Sequence, residues 1–320
     1  MRLKKSLTLL LAVFLLPGLC ACAGADGGAA DFGAEESAGT TPAPTGDFLI
    51  LEWADDPTEV PEDRDASGSP VPAWADAGET VLLDEMDVKI TATGIDYKGW
   101  AGPALMLAVE NHAGETLVFA CEDVYVNGCK VINGFYAELD SGEESVEAMT
   151  LYSGEMTTYG IDTIAEIAMI VRVADEDWNT YCETGLITLR PDAPEDYTFT
   201  FDPDGEVLYD EGGFRIIGMG RGDDDIFWDP SYLLYFENNT DRPVTFETRG
   251  ESVNGSAVTG IVLSTTLFPG MRAVKALTLG KDELEQLGVD EIETLGLRFL
   301  VFDTQTGGEI LTTDESTIDF

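Results

Sequence analysis

The sequence predicts an all-β protein made of antiparallel β-sandwiches, and three observations predict it. The first is an internal duplication: Pro103–Val131, PALMLAVENHAGETLVFACEDVYVNGCKV, recurs without a gap as Pro230–Val258, PSYLLYFENNTDRPVTFETRGESVNGSAV. The copies match Pro103 with Pro230, Leu107 with Leu234, Glu110-Asn111 with Glu237-Asn238, Phe119 with Phe246, and Val126-Asn127-Gly128 with Val253-Asn254-Gly255. The second is the alternation of apolar and polar residues in both copies, the period of a strand with one wet face. The third is the Asn-Gly pair that closes each copy, a hairpin signal in which both central residues must tolerate positive φ.

Taken in order, the first repeat opens near Val81, where Val88, Ile90 and Ala92 alternate with Lys89, Thr91 and Thr93. Phe214, Ile216 and Gly218 match them in the second. After the shared strand pair and hairpin, Val146–Tyr152 and Ala273–Leu279 are short enough for strands. Ser153–Tyr159 and Lys281–Leu287 then read as one or two helical turns, stopped by Gly160 and Gly288. Long strands follow at Ile167–Val173 and Leu295–Val301. Leu186–Leu189 closes the first unit, and Ile310–Thr312 or Thr317–Phe320 the second. Seven or so strands, many turns and roughly 100 residues per copy suit two tandem immunoglobulin-like antiparallel β-sandwich domains, with a barrel as the alternative. The expected boundaries are residues 81–192 for the first repeat, 193–206 for a linker carrying Asp202-Pro203-Asp204-Gly205, and 207–320 for the second.

Ahead of the repeats, Arg2, Lys4 and Lys5 precede the apolar run Leu9–Leu16 and Pro17-Gly18, the charged and apolar regions of a secretory signal. The run is too short to span a membrane comfortably. Leu19-Cys20-Ala21-Cys22 resembles the lipobox of bacterial lipoproteins, which implies a signal peptide over residues 1–21 and a lipid on Cys22. A soluble secreted protein cut after the same small residues is the alternative. Residues 22–80 read as a flexible acidic tether of Gly, Ala, Ser, Thr, Pro and acids, with too little apolar surface to offset the entropy of ordering. Phe48–Trp53 interrupts it and is expected to dock as an edge strand.

The charge is lopsided: 61 acidic against 17 basic residues, a net charge of -44. That disfavours nucleic acid as a partner, because phosphate binding is driven by Lys and Arg. Cys121, Cys129 and Cys182 all fall in the first repeat, and the second has Thr248 and Ser256 where the first has Cys121 and Cys129. An odd trio without counterparts argues against a disulfide framework.

The lipobox, the acidic tether and tandem units with Glu-Asn, Val-Asn-Gly and Gly-Ile-Asp or Gly-Val-Asp signatures resemble a class of uncharacterised lipoproteins of low-GC Gram-positive bacteria with tandem immunoglobulin-like, or telokin-like, β-sandwich domains. The resemblance covers residues 1–22 and 81–320. It implies surface display and interaction, and no catalytic residues to carry across.

Catalytic chemistry finds little purchase. His112 is the single histidine and matches Asn239 of the second copy; a thiol nucleophile would need it as a base for Cys121 or Cys129. Gly218-Met219-Gly220-Arg221-Gly222 leads into acid and not into a helix, so it is a turn and no nucleotide cradle. Arg221-Gly222-Asp223 spells an adhesion tripeptide that three letters alone do not establish. Asp202-Pro203-Asp204-Gly205-Glu206 and Asp223-Asp224-Asp225 are hard-oxygen clusters without the ligand spacing of a calcium loop. No metal and no cofactor is expected.

The candidate binding residues are aromatic. Tyr97 and Trp100 in Asp96-Tyr97-Lys98-Gly99-Trp100, and Phe227 and Trp228 after Asp223-Asp224-Asp225-Ile226, precede the shared strand pair in polar loops. Loops at the ends of a sandwich are where binding is placed without disturbing the core. The competing expectation is that these rings plug the sandwich ends. The sequence thus points to a non-enzymatic, lipid-anchored protein on the outer face of the cell membrane, binding a protein or glycan partner. A transport-associated ligand receptor and an envelope enzyme are the alternatives; the first is disfavoured by the scarcity of helix-length amphipathic segments, the second by the lack of a nucleophilic constellation.

Overall fold

The computed structural model of the protein describes residues 74–75 and 79–320, except 192, 195–196, 223–228 and 259–261. The leader, Cys22, the run Phe48–Trp53, and Phe227 and Trp228 lie outside the described residues. The protein is all-β, and its sheets are open, so they form sandwich layers and not a barrel. In the first repeat, Thr80–Glu85, Val88–Asp96, Ala104–Asn111 and Glu143–Leu151 pair in that order as one antiparallel layer. The second layer is built on Leu117–Val126 and Ile167–Ala174, with Tyr136–Leu139 and Cys129–Lys130 on one side and Thr180–Glu183 and Ile187–Leu189 on the other.

The second repeat follows the same plan. Glu206–Glu211, Phe214–Arg221, Ser231–Asn238 and Arg272–Thr278 form one layer. Val244–Val253 and Thr294–Asp303 centre the other, flanked by Val262–Leu267 and Ser256–Ala257 and by Glu309–Thr312 and Ser316–Asp319. Both segments proposed for the last strand therefore form one. The two helices fall where the glycine signals put them, at Ser153–Tyr159 and Lys281–Leu287, and end on Gly160 at φ 67° and Gly288 at φ 68°. Both Asn-Gly turns have positive φ at both residues: 52° and 78° at Asn127-Gly128, 49° and 75° at Asn254-Gly255.

Alternation decides the cores. Ile90, Leu105, Leu107 and Met149 of one layer meet Leu117, Phe119, Val126 and Val171 of the other, all fully buried. Leu234 and Phe236 likewise meet Phe246 and Phe299 in the second, with Phe236 ring centroids 5.4 Å and 6.4 Å from those two phenylalanines. Burying each such side chain contributes about 1.5–3 kcal/mol.

The asparagines that the copies share hold backbone. Asn111 is fully buried; its amide donates to the carbonyls of Leu139 at 2.8 Å and Glu115 at 3.0 Å, and its Oδ1 accepts from Ala113 N at 3.0 Å. Asn238 repeats this with Leu267, Arg242 and Thr240 at 2.9, 2.8 and 3.0 Å. Asn127 bonds the carbonyl of Thr163 and the amides of Ala165 and Glu166, as Asn254 does those of Glu291, Glu293 and Thr294. The carbonyls of Leu139 and Leu267 and the amide of Ala113 are buried and would otherwise be unpaired where strands turn.

Apart from the Gly128 carbonyl, the repeats meet through residues they do not share. Arg272–Thr278 lies beside Cys129–Lys130, parallel, with Arg272 opposite Cys129, so the second layer of the first repeat and the first layer of the second run on as one ten-stranded sheet. Arg272 N donates to Gly128 O at 2.9 Å. Tyr159 Oη accepts from Val274 N at 2.7 Å and donates to Lys130 O at 3.1 Å. Thr266 O accepts from Tyr125 Oη at 3.1 Å and Lys130 Nζ at 3.0 Å. Tyr125 and Ala168 of the first repeat are buried within the second core. The segment expected as a linker is held here as well: Tyr197 Oη donates to Thr163 O at 3.3 Å, and the Phe201 ring sits 5.2 Å from Tyr159 and 5.8 Å from Tyr235. At the other end, Trp74–Ala75, within the segment expected as tether, pairs with Asp96 and Ile95.

Candidate functional site

The loop that carries Tyr97 and Trp100 leaves the strand Val88–Asp96 and is tied down along its length. Asp96 Oδ1 accepts from Lys98 N at 2.9 Å, Gly102 N donates to Gly99 O at 3.2 Å, and Ser153 N, at the start of the helix, donates to Ala101 O at 2.9 Å. Leu151 N donates to Pro103 O at 2.8 Å. Trp100 stands at the tip of this pinned loop, 99% exposed. Tyr97 is half-buried against the first core, and burial pushes its phenol up from the ordinary tyrosine value. The two rings thus separate: Tyr97 closes the end of the sandwich, as the core expectation has it, and Trp100 does not.

Beside the loop is a cleft of about 200 Å³ with an apolar floor of Tyr97, Pro103, Met156, Ile161 and Ile164 and a polar rim of Ser153, Thr157 and Asp162. Pockets that enclose drug-sized ligands run to roughly 300–1,000 Å³. This one accepts a single ring or side chain, leaving the remainder of a larger partner at the surface where Trp100 stands. A fixed backbone under an exposed tryptophan offers a large apolar contact with little conformational entropy to lose. In the second repeat the matching loop is outside the described residues, but its ends are tied the same way: Gly222 N donates to Ser231 O at 2.9 Å and Leu279 N to Pro230 O at 2.8 Å.

The thiols are built into the core. Cys121, Cys129 and Cys182 are buried and unbridged. Burial, with Glu122 adding to it, pushes Cys121 up to about 12; burial pushes Cys129 up to about 12 and Cys182 up to about 11. A thiol in such surroundings is not a thiolate nucleophile at neutral pH. His112 is exposed, with Nε2 3.2 Å from Glu110 Oε2. Glu110 also lies 3.5 Å from Lys89 Nζ, and with His112 and Glu144 its ligand atoms fall within 4.8 Å of one another, a surface charge cluster. Asp202, Asp204 and Glu206 are exposed, and Asp223-Asp224-Asp225 lies outside the described residues.

Two groups of residues escaped the sequence reading. The seam side chains Tyr125, Lys130, Tyr159 and Arg272 have no short-range signal, since their partners are far along the chain. Trp178 and Tyr136, with ring centroids 6.2 Å apart on the outer face of the first repeat, had one: an aromatic residue in a turn where the second copy has glycine.

No protein-family model matches the chain, and no curated protein matches it. Among solved structures it is similar to the YadV chaperone, at 12% identity and a TM-score of 0.23, covering 73% of this chain and 100% of that one. It is also similar to a calcium-binding mutant of Bacteroides uniformis β-glucuronidase 2, at 11% identity and a TM-score of 0.19, covering 82% of this chain. The chain spans 31% of that enzyme's length. At these values neither likeness says what this chain does.

Proposed function

We propose that this is a non-enzymatic, lipid-anchored protein of the cell surface that uses the loop end of its first repeat to bind a partner outside the membrane. The lipid anchor rests on the Leu19-Cys20-Ala21-Cys22 motif. One observation carries the binding reading: Trp100 is 99% exposed on a loop whose backbone is pinned to the sheet and the helix, beside a cleft with a polar rim. Exposing a tryptophan fully has no benefit for the fold, and an unpinned one would lose more entropy on binding.

The test is Trp100→Ala in the mature chain, followed by thermal melting and by binding to whole cells and to isolated wall glycans. The substitution should leave stability within about 0.5 kcal/mol, as for other surface positions, and weaken binding at least about tenfold, about 1.4 kcal/mol. Unchanged binding with a loss of roughly 3–5 kcal/mol, the cost of truncating a buried aromatic, would contradict it.

A further inference from the structure

We propose that the outer face of the first repeat carries a second recognition surface, built on Trp178 and Tyr136, for a basic segment of a partner protein. It is distinct from the Trp100 loop and does not depend on it.

The two repeats provide an internal control for this corner. In the first, Glu176-Asp177-Trp178 joins the strand Ile167–Ala174 to Thr180–Glu183. Asp175 N donates to Asn179 O and Trp178 N to Asp175 O, both at 3.0 Å. Asp175 Oδ1 accepts from the amides of Asp177 and Asn179. In the second repeat a turn one residue longer does the same work: Asp303 N donates to Gly308 O at 2.9 Å, Gly307 N to Asp303 O at 2.8 Å, and Asp303 Oδ1 accepts from Gln305 and Thr306. The residue before the closing carbonyl is left-handed in both, and there the copies part: Gly307 at φ 67° and Trp178 at φ 64°. A left-handed residue after a tight turn is the ordinary place for glycine, and a bulky side chain is disfavoured there. The turn therefore forms without a tryptophan, and carrying one works against the backbone.

Part of what the ring does is to lie against Tyr136, with ring centroids 6.2 Å apart. Val118 and Ala174, opposite one another in the sheet, are buried yet belong to neither core, and alternation puts them on the outer face. The second repeat has Thr245 opposite Phe302 at that place, both half-exposed. Packing also does not account for the exposure that remains: Trp178 is 39% and Tyr136 55% exposed.

The occupant follows from charge. Tyr136 Oη donates to Glu138 Oε2 at 3.0 Å, and Glu138, Glu176 and Asp177 are all exposed. Hydrogen bonds from the Asn179 side chain and from backbone amides hold Asp175 below the usual aspartate value, so it stays ionised. Arg172 is engaged, with Nη1 3.0 Å from Glu122 and Nη2 donating to Trp178 O at 3.1 Å. Aromatic faces ringed by carboxylates are suited to lysine and arginine side chains, which gain both the ion pair and the cation–π contact. A chain with 61 acidic residues against 17 basic ones repels anionic partners from the same surface.

The probe is an oligolysine peptide, with binding to the mature chain measured at ~0.5 M sodium chloride, where the screening length is about 4 Å and diffuse attraction is suppressed. Wild type should retain binding. Trp178→Gly and Tyr136→Ala should each weaken it about tenfold, whereas Trp100→Ala should bind as wild type does. Trp178→Gly exchanges lost packing for a relaxed turn, so its melting temperature should stay close to wild type; if it falls well below, Tyr136→Ala decides. Equal binding by wild type and both variants would show diffuse electrostatics only and overturn the proposal. So would a neutral oligosaccharide, and not oligolysine, losing affinity with Trp178.

Discussion

In the first repeat Asn111 satisfies two carbonyls and one amide around a turn, and in the second Asn238 satisfies the matching three at nearly the same distances. The edges of the same two repeats are unlike. In the first, Asn133–Gly134 pairs with Glu143–Leu151 at Thr150 and Leu151, and the rest of that outer edge carries Glu143, Glu144 and Glu147, acids that discourage pairing with another strand. Its counterpart in the second, Arg272–Thr278, carries Arg272 and Lys275 and is received by Cys129–Lys130. The hairpins differ in the same way. Tyr125 and Lys130 face the seam, and where the first repeat has them the second has Ser252 and Ala257, with Ser256–Ala257 exposed. The asparagines that the copies kept satisfy backbone, and the kept Leu107, Phe119, Leu234 and Phe246 fill the cores; side chains that the copies did not keep decide how they meet each other and what they show to solvent.

The largest expected effect tests the kept half of that comparison. Asn111→Ala and Asn238→Ala each strand buried backbone groups, so each should cost about 3 kcal/mol, or roughly 6–12 °C in a unit of this size. Melting curves of the two variants should fall together. If one fell and the other did not, the shared asparagines would not be equivalent pins.

The smallest expected effect concerns Asp175 and Asp303. The Asn179 side chain and the amides of Asn179 and Asp177 lower the first; the amide and hydroxyl of Thr306, the Gln305 amide and Arg242 lower the second. A carboxyl with a depressed folded value stabilises the protein above its unfolded value, and that stability is lost as pH falls through the folded one. Melting temperature should therefore drop below about pH 4, and Asp175→Asn and Asp303→Asn should each flatten the drop slightly and to a similar degree. A change in the neutral range would break the assignment.

How much of this could be read from residues follows the range of the interactions. The helices with their glycine stops and the Asn-Gly hairpins depend on neighbours a few residues away, and they were legible. Tyr136–Leu139 and Thr180–Glu183 were not, because four residues are too few for a period to show, and each becomes a strand only by lying along a longer one. The seam was illegible for a stronger reason: Tyr125 and Thr266 stand 141 positions apart, and neither residue type announces the other. The aromatic loop was legible as a place and not as an orientation. Recurrence in both copies argued for buried rings, which describes Tyr97, but a side chain's direction depends on the backbone bonds that turn Trp100 outward.

The most direct measurement is calorimetric unfolding of the protein beside its Tyr125→Phe, Tyr159→Phe double variant, which removes the hydroxyls that bond across the seam and leaves the shared asparagines intact. If unshared residues couple the two repeats, wild type should unfold in one cooperative transition with equal calorimetric and van't Hoff enthalpies. The variant should then resolve into two transitions, each retaining the cooperativity of a single repeat. Two independent transitions in the wild type, or a single unaltered one in the variant, would contradict that account.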